Sequence, residues 1–350
     1  AIDVDADGDL DLVSANHGSN NVIVWRQTGG GGFNIVSPAS GGLTAPSDVA
    51  GADLNADGRM DLVVANTGAN RAAIFFRSAA GTYPAAPSLS IGDASTGAPV
   101  SVALGDLDGD GDIDIVSANQ STNNVTIFYQ TAPGVFSATP SVTLGGAGLT
   151  DGPASVVIGD VNGDGKLDIA CADRTGNDLT VFIQNSSGFT GTPTFTLAAA
   201  GSPLQPTHVE MADVNDDGAL DLICTDGGND ISIFVYQPDA SQFAADPIVI
   251  GQGGALSSPS WIAAGDFDGD GRLDLAATNS TGNNVAVFQQ LGGASYNSPA
   301  ANLVIGDTNG VEDIYVHDMV TGETTRVNVD SAGAEANGRS VRPSISADGR

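Results

Sequence analysis

A nine-residue pattern, D-x-[DN]-x-D-G-x-x-D, occurs six times in the 350 residues. The copies start at Asp3, Asp53, Asp106, Asp160, Asp213 and Asp266, so they recur every 50 to 54 residues. A chain built this way folds as a tandem array of one supersecondary unit, and each unit buries its apolar faces on its neighbours. The units run over 1–45, 46–98, 99–152, 153–205, 206–258 and 259–306.

Each unit follows one grammar. A proline opens it: Pro46, Pro99, Pro153, Pro206 or Pro259. A short apolar run follows, such as Val100-Ser101-Val102-Ala103-Leu104, and leads into the aspartate loop. After the loop comes a second run, such as Ile113-Asp114-Ile115-Val116-Ser117-Ala118, and then an Asn/Gly turn. A third run ends on an aromatic residue: Trp25, Phe75, Phe128, Phe182, Phe234 or Phe288. A weaker fourth run closes the unit. Short β-branched runs bounded by turn formers are strands, and no sustained helical period is present. Four antiparallel strands per tandem unit make a propeller blade. The fold class is therefore all-β, a β-propeller of four-stranded antiparallel blades, and the recurring aromatics belong in the core between blades. Seven blades are expected: six regular units over 1–306 and a divergent one over 307–350.

Charge narrows the function. The chain has 42 Asp+Glu against 11 Lys+Arg, a formal net charge of −31. Such a chain has no basic footprint for nucleic acid. No apolar run approaches the ~20 residues of a membrane-spanning helix. The acids are almost all Asp, since only Glu210, Glu312, Glu323 and Glu335 are Glu. Asp suits loops and metal ligation, because its short carboxylate turns back on its own backbone.

The loops themselves look like cation sites. They hold 24 acids between them. Carboxylates at alternate positions of a tight loop face one centre, Gly at position 6 allows the turn, the position-7 carbonyl adds an oxygen, and a ninth-position Asp offers two more. The candidate ligands are Asp3, Asp5, Asp7, Asp9 and Asp11; Asp53, Asn55, Asp57, Arg59 and Asp61; Asp106, Asp108, Asp110, Asp112 and Asp114. They continue with Asp160, Asn162, Asp164, Lys166 and Asp168; Asp213, Asn215, Asp217, Ala219 and Asp221; Asp266, Asp268, Asp270, Arg272 and Asp274. Asp9, Arg59, Asp112, Lys166, Ala219 and Arg272 act through the backbone carbonyl. The all-oxygen set, with no His or Cys in any loop, favours Ca²⁺ over zinc or copper, and Mg²⁺ is disfavoured because it keeps its waters. About six Ca²⁺ sites are expected, stabilising the native state. The bland alternative is an acidic turn with no ion.

The six loops, the literal Gly97-Ala98-Pro99 and the run Asn123-Asn124-Val125-Thr126-Ile127-Phe128 resemble the FG-GAP or VCBS-type repeat, the propeller repeat also found in integrin alpha subunits. The resemblance covers 1–306. It implies a propeller, usually seven-bladed, whose Asp loops join the first and second strands of a blade and bind Ca²⁺. Residues 307–350, with Asp313-Ile314-Tyr315-Val316-His317-Asp318, resemble a TolB-type propeller repeat: a closing blade or the start of a further domain. Asp307-Thr308-Asn309-Gly310 lacks the third loop Asp, so at most a weak ion is expected there. The first unit lacks its opening strand and the last pattern is unfinished, so we expect a fragment of a longer protein.

Two residues after each opening Pro stand Asp48, Ser101, Ser155, His208 and Trp261. This position varies on a constant frame, as a binding face does. In the resembling family the first strands line the axis, which would ring these residues about the channel mouth, with His17 and Arg174 added from the second-to-third-strand turns. Ordinary drift of exposed residues is the competing explanation. Cys171 and Cys224 occupy equivalent positions in adjacent units and are expected as small buried residues; a disulfide is the sharper alternative.

No Ser-His-Asp, P-loop or paired-His pattern is present. The expected function is a calcium-binding propeller of a secreted or cell-surface bacterial protein, a binding or adhesion scaffold for an extracellular protein or glycan and not an enzyme. The alternative is a carbohydrate-active protein, a propeller polysaccharide lyase or a lectin.

Overall fold

The computed structural model describes residues 1–28, 32–39, 41–198, 204–251, 256–282 and 284–297, with the backbone of 315–318 and 323–326. Six antiparallel sheets follow one another along the chain, one per repeat. Blade 2 is typical: Pro46–Ala52, Asp61–Asn66, Arg71–Phe75 and Leu89–Ile91 pair in sequence order. Blade 3 (from Pro99–Gly105 to Val142–Gly145), blade 4 (from Pro153–Gly159 to Phe195–Leu197) and blade 5 (from His208–Ala212 to Ile248–Ile250) are also four-stranded. Blade 1 has Leu12–Asn16, Asn21–Thr28 and Gly32–Ala39, with a single Ile2–Asp11 bridge where other blades have a first strand. Blade 6 has Pro259–Gly265, Asp274–Asn279 and Asn284–Phe288.

The expectation of seven four-stranded blades is corrected on both counts. Six blades are present, and blades 1 and 6 have three strands among the described residues. Of the tail, the described residues are the two-stranded hairpin Tyr315–Asp318 with Glu323–Arg326. Asp307 and Asn309 lie outside the described residues.

Five separate hydrophobic clusters fill the five junctions between consecutive blades. Strand alternation explains them. In blade 2, Leu62 and Val64 face blade 1 while Val63 faces blade 3. In blades 2 to 6 the third-strand aromatic points back at the preceding blade: Phe128 joins Val63 and Ile74, and Phe182 joins Val116 and Ile127. Phe75, Phe128, Phe182, Phe234 and Phe288 are fully buried, and each contributes on the order of 1.5–3 kcal/mol of transfer free energy. Cys171 lies in the junction of blades 3 and 4, and Cys224 in that of blades 4 and 5. Both are buried and unpaired. The first strands of blades 2 to 6 pack side by side in order, so they surround a common axis.

Prolines and asparagines set the spacing. In blades 2, 3, 4 and 6 the pairing slips just after the opening Pro, for example between Pro46 and Asp48. Such a bulge re-aims the side chain that follows it. Ala45, Ala98 and Ser258, each just before an opening Pro, have positive φ. Their N–H groups donate to Asn20, Asn70 and Asn229 of the preceding blade, at 2.6, 2.8 and 2.6 Å.

Candidate functional site

In blades 2 to 6 each aspartate loop joins a first strand to a second strand, as the repeat implies, and in blade 1 it precedes the second strand. Its second residue is apolar and anchors it in a junction: Leu54, Leu107, Val161 and Val214 are almost inaccessible. The first Asp caps the loop. Asp106 accepts N–H from Gly109, Asp110 and Gly111 at 2.8, 3.1 and 3.0 Å. The sixth-position Gly has positive φ in every loop, from +81° at Gly58 to +93° at Gly8. The fifth Asp accepts the N–H of position 7, as Asp110 does from Asp112 at 2.9 Å. In loop 2 it also pairs with Arg59, in loop 4 with Lys166 and in loop 6 with Arg272.

The ninth Asp is the keystone of the loop. Asp11, Asp61, Asp114, Asp168, Asp221 and Asp274 are wholly buried. Asp114 Oδ2 accepts the Leu107 N–H at 2.8 Å and Oδ1 accepts the Gln130 N–H at 2.8 Å. One carboxylate thus ties the loop start, the second strand and the end of the third strand. The same two bonds recur in all six blades, as Asp61 shows with Leu54 and Arg77. Burial pushes the carboxyls of Asp61, Asp114, Asp168 and Asp221 up to about 6, against the pull of those N–H groups and with a further push from neighbouring loop acids.

Positions 1, 3 and 9 converge. In loops 1, 3 and 6 the sets Asp3/Asp5/Asp11, Asp106/Asp108/Asp114 and Asp266/Asp268/Asp274 bring carboxylate oxygens within 4.8 Å of one another. Loops 2, 4 and 5 have Asn55, Asn162 and Asn215 at position 3. The fifth-position Asp, named as a ligand from the sequence, stands outside these groups and turns to its own loop and its cationic neighbour. Asp5 Oδ1 is buried with no hydrogen-bond partner, although its other oxygen meets Arg26 at 3.0 Å. Convergent hard oxygens with one orphaned buried acceptor fit a Ca²⁺-type cation.

A second feature lies on the axis. A cavity of about 290 Å³ is lined by the first strands of blades 2 to 6 and by residues 1, 2 and 13. Asp48, Ser101, Ser155, His208 and Trp261 all border it. The first four are buried, not exposed at a mouth. Part of their work is structural, because each first strand presents an unpaired edge to the next. Asp48 Oδ2 accepts Ser101 Oγ–H and Val102 N–H, both at 3.0 Å. Ser101 Oγ accepts the Val156 N–H at 3.3 Å, and His208 Nδ1 accepts the Ile262 N–H at 3.4 Å. The His208 and Trp261 rings stack with centroids 3.5 Å apart. His17 and Arg174 are exposed turn residues and do not line the cavity. Sequence reasoning missed Glu210, which does line it; burial pushes its carboxyl up to about 7. Its signal was available: one Glu where other units have Ala or Val.

The FG-GAP-like repeat family matches residues 3–64, 53–117, 106–171, 160–224 and 213–277. Each match runs from one Asp loop through the next. It does not reach 307–350, and the TolB-type resemblance of the tail is not confirmed. No curated protein matches the chain. Among solved structures, a "putative 6-phosphogluconolactonase" from Bacteroides fragilis is 19% identical, with 92% of this chain and 95% of that chain covered and a TM-score of 0.60. The periplasmic gluconolactonase of Pseudomonas aeruginosa is 17% identical over 80% of this chain and 76% of that chain, with a TM-score of 0.56. A Lactobacillus plantarum protein is 13% identical over 95% and 99%, with a TM-score of 0.59. At these identities the likeness is one of fold. It nevertheless corrects the expectation that the chain is not an enzyme. That expectation rested on the lack of a Ser-His-Asp, P-loop or paired-His pattern in the sequence, and propellers of this shape are named as lactonases.

Proposed function

The chain belongs to the FG-GAP-like repeat family, and from that premise we propose a Ca²⁺-binding β-propeller of a secreted or cell-surface bacterial protein. It serves as a rigid scaffold for binding or adhesion, with an extracellular protein or glycan as partner. The observation that carries the metal reading is the convergence of positions 1, 3 and 9 within 4.8 Å in loops 1, 3 and 6. The residues that would hold the ions are the first, third and ninth of each loop. A bound Ca²⁺ supplies the positive charge that this crowding of carboxylates lacks. Loop position 2 sits in a blade junction, so an ion held by the loop stiffens the junction as well. Extracellular Ca²⁺ is plentiful enough to fill even modest sites of this ligand class.

Calorimetric titration of chelator-stripped protein tests this proposal. About six equivalents of Ca²⁺ should bind, and the melting temperature should rise with occupancy. Melting curves that overlay in EDTA and in millimolar Ca²⁺ would sink it.

A further inference from the structure

Glu210 breaks the rule of its position. The residue four after the opening Pro is Ala50, Ala103, Val157 and Ala263 in the other blades. Four blades therefore fold with a small or β-branched apolar residue there, and folding alone gives no reason for a carboxylate. Glu210 lines the axial cavity with Val209, Val157, Val156, Asp48 and Trp261. Among the described residues no hydrogen bond or ion pair reaches its carboxylate; no Lys or Arg side chain lines the cavity, and its other ionisable lining groups are Asp48, His208 and the Ala1 amine. An ionised carboxylate on this wall of mixed polarity, with no donor of its own, carries an uncompensated desolvation cost. Local violations of this kind concentrate at functional sites.

Which ligand would compensate Glu210 follows from the rest of the wall. An anion is repelled by two carboxyl groups. A neutral polyol leaves the charge of Glu210 unbalanced. A hard divalent ion needs six to eight oxygens, and Asp48 already spends Oδ2 on two hydrogen bonds. A soft organic cation needs one counter-charge, apolar contact and an aromatic face, and Glu210, the valines and Trp261 offer these together. The volume, about 290 Å³, is at the small end of ligand cavities.

We propose that the axial cavity binds a small organic ammonium ion, with Glu210 as its counter-charge and Trp261 as its aromatic wall. This site is independent of the metal loops, so the proposal stands or falls apart from the calcium reading.

The test uses the full chain at fixed, saturating Ca²⁺, with choline as probe and its neutral carbon isostere, dimethylbutanol, as control. Calorimetry should show choline binding about tenfold or more tighter than the isostere. Glu210→Gln, which keeps the size and removes the charge, should abolish that preference while leaving the melting temperature close to that of the parent. Glu210→Ala, the residue used by other blades, should fold and behave the same way. No choline binding at millimolar concentration, equal affinities for the two probes, or an unchanged preference in Glu210→Gln would overturn the proposal.

Discussion

The two ends of a blade close the same kind of gap, a strand end beside a neighbouring blade, with opposite chemistry. At the turn end the groups are amides. Asn70 and Asn123 accept N–H groups from the next blade, and Asn16–Asn21, Asn119–Asn124 and Asn279–Asn284 bond across their own strands at 2.9, 2.9 and 2.6 Å. An amide donates and accepts, so this end is complete with protein atoms alone. At the loop end the groups are carboxylates, which only accept. Their backbone donors are used up, and oxygens such as Asp5 Oδ1 are left over. The amide end closes by itself, and the carboxylate end closes best with a cation.

Blades 4 and 5 are exceptions at the turn end, blade 5 with Asp226 and Asp230, and blade 4 is the instructive one. Asp173 and Asp178 stand opposite each other where blades 1, 3 and 6 pair two Asn residues. Asp173 is fully buried, accepts the Thr180 hydroxyl at 2.6 Å and faces Cys171, Asp178 and Asp151. Burial pushes its carboxyl up to about 8.

The largest expected difference between the two ends is in chelator. Stripping Ca²⁺ should lower the melting temperature by many degrees, since each site filled to 100 times its Kd is worth about 2.7 kcal/mol. Ion-free protein should also respond to pH in a defined direction. The carboxyls of Asp61, Asp114, Asp168 and Asp221 are raised from 3.8 to about 6 in the fold, so their contribution is present below 3.8 and lost as pH rises through 6. Melting scans of the stripped protein from pH 4 to 7 should fall, and a rising profile would contradict the burial argument.

Next in size is Asp114→Ala. It leaves two buried N–H groups without an acceptor, about 1–3 kcal/mol each. The loss should persist in EDTA, because those bonds do not depend on the ion. Asp112→Ala should leave stability nearly unchanged in both buffers. Equal melting temperatures for the two variants would show that the ninth Asp is not the keystone.

A smaller gain is expected at the exception. Asp173→Asn places opposite Asp178 the amide that blades 1, 3 and 6 carry at this position and should raise stability at pH 8 by on the order of 1 kcal/mol or more. The sign follows from the raised carboxyl: its contribution is present below 3.8 and lost as pH rises through 8. The variant should gain little at pH 4, and chemical denaturation at both pH values measures this. The smallest effect is at Asn123, whose Oδ1 holds the Gly152 N–H at 2.9 Å. Asn123→Ala should cost about 1 kcal/mol by denaturant midpoint, with or without Ca²⁺.

Much of this was legible along the chain. The second and third strand runs of each unit and the inward aromatics were correct because they are local and repeated, and Phe128 or Phe182 carries its signal within its own unit. The blade count was not legible, because the weak pattern after Asp307 was read as a blade where the described residues show only a hairpin. The loops were legible as acidic clusters but not in their division of labour. Asp110 and Asp114 look alike as letters, yet one faces its own loop and the other staples three segments.

The sequence by itself determined the repeating unit, the propeller, the all-oxygen chemistry of the loops and the residues that pack between blades. These follow from short-range periodicity and side-chain type. Only the tertiary structure decided which three loop positions converge, how Gln184 and Gln290 reach the carbonyls of Leu107 and Val214 one blade back, and that Glu210 shares a cavity with Asp48 and Trp261. The physical reason is separation. The glutamine and cavity contacts join residues 50 or more positions apart, and their geometry is set by how neighbouring blades pack about the axis, while the loop positions, though within nine residues, are aimed by a ninth Asp buried under its own blade, and no local pattern encodes that packing.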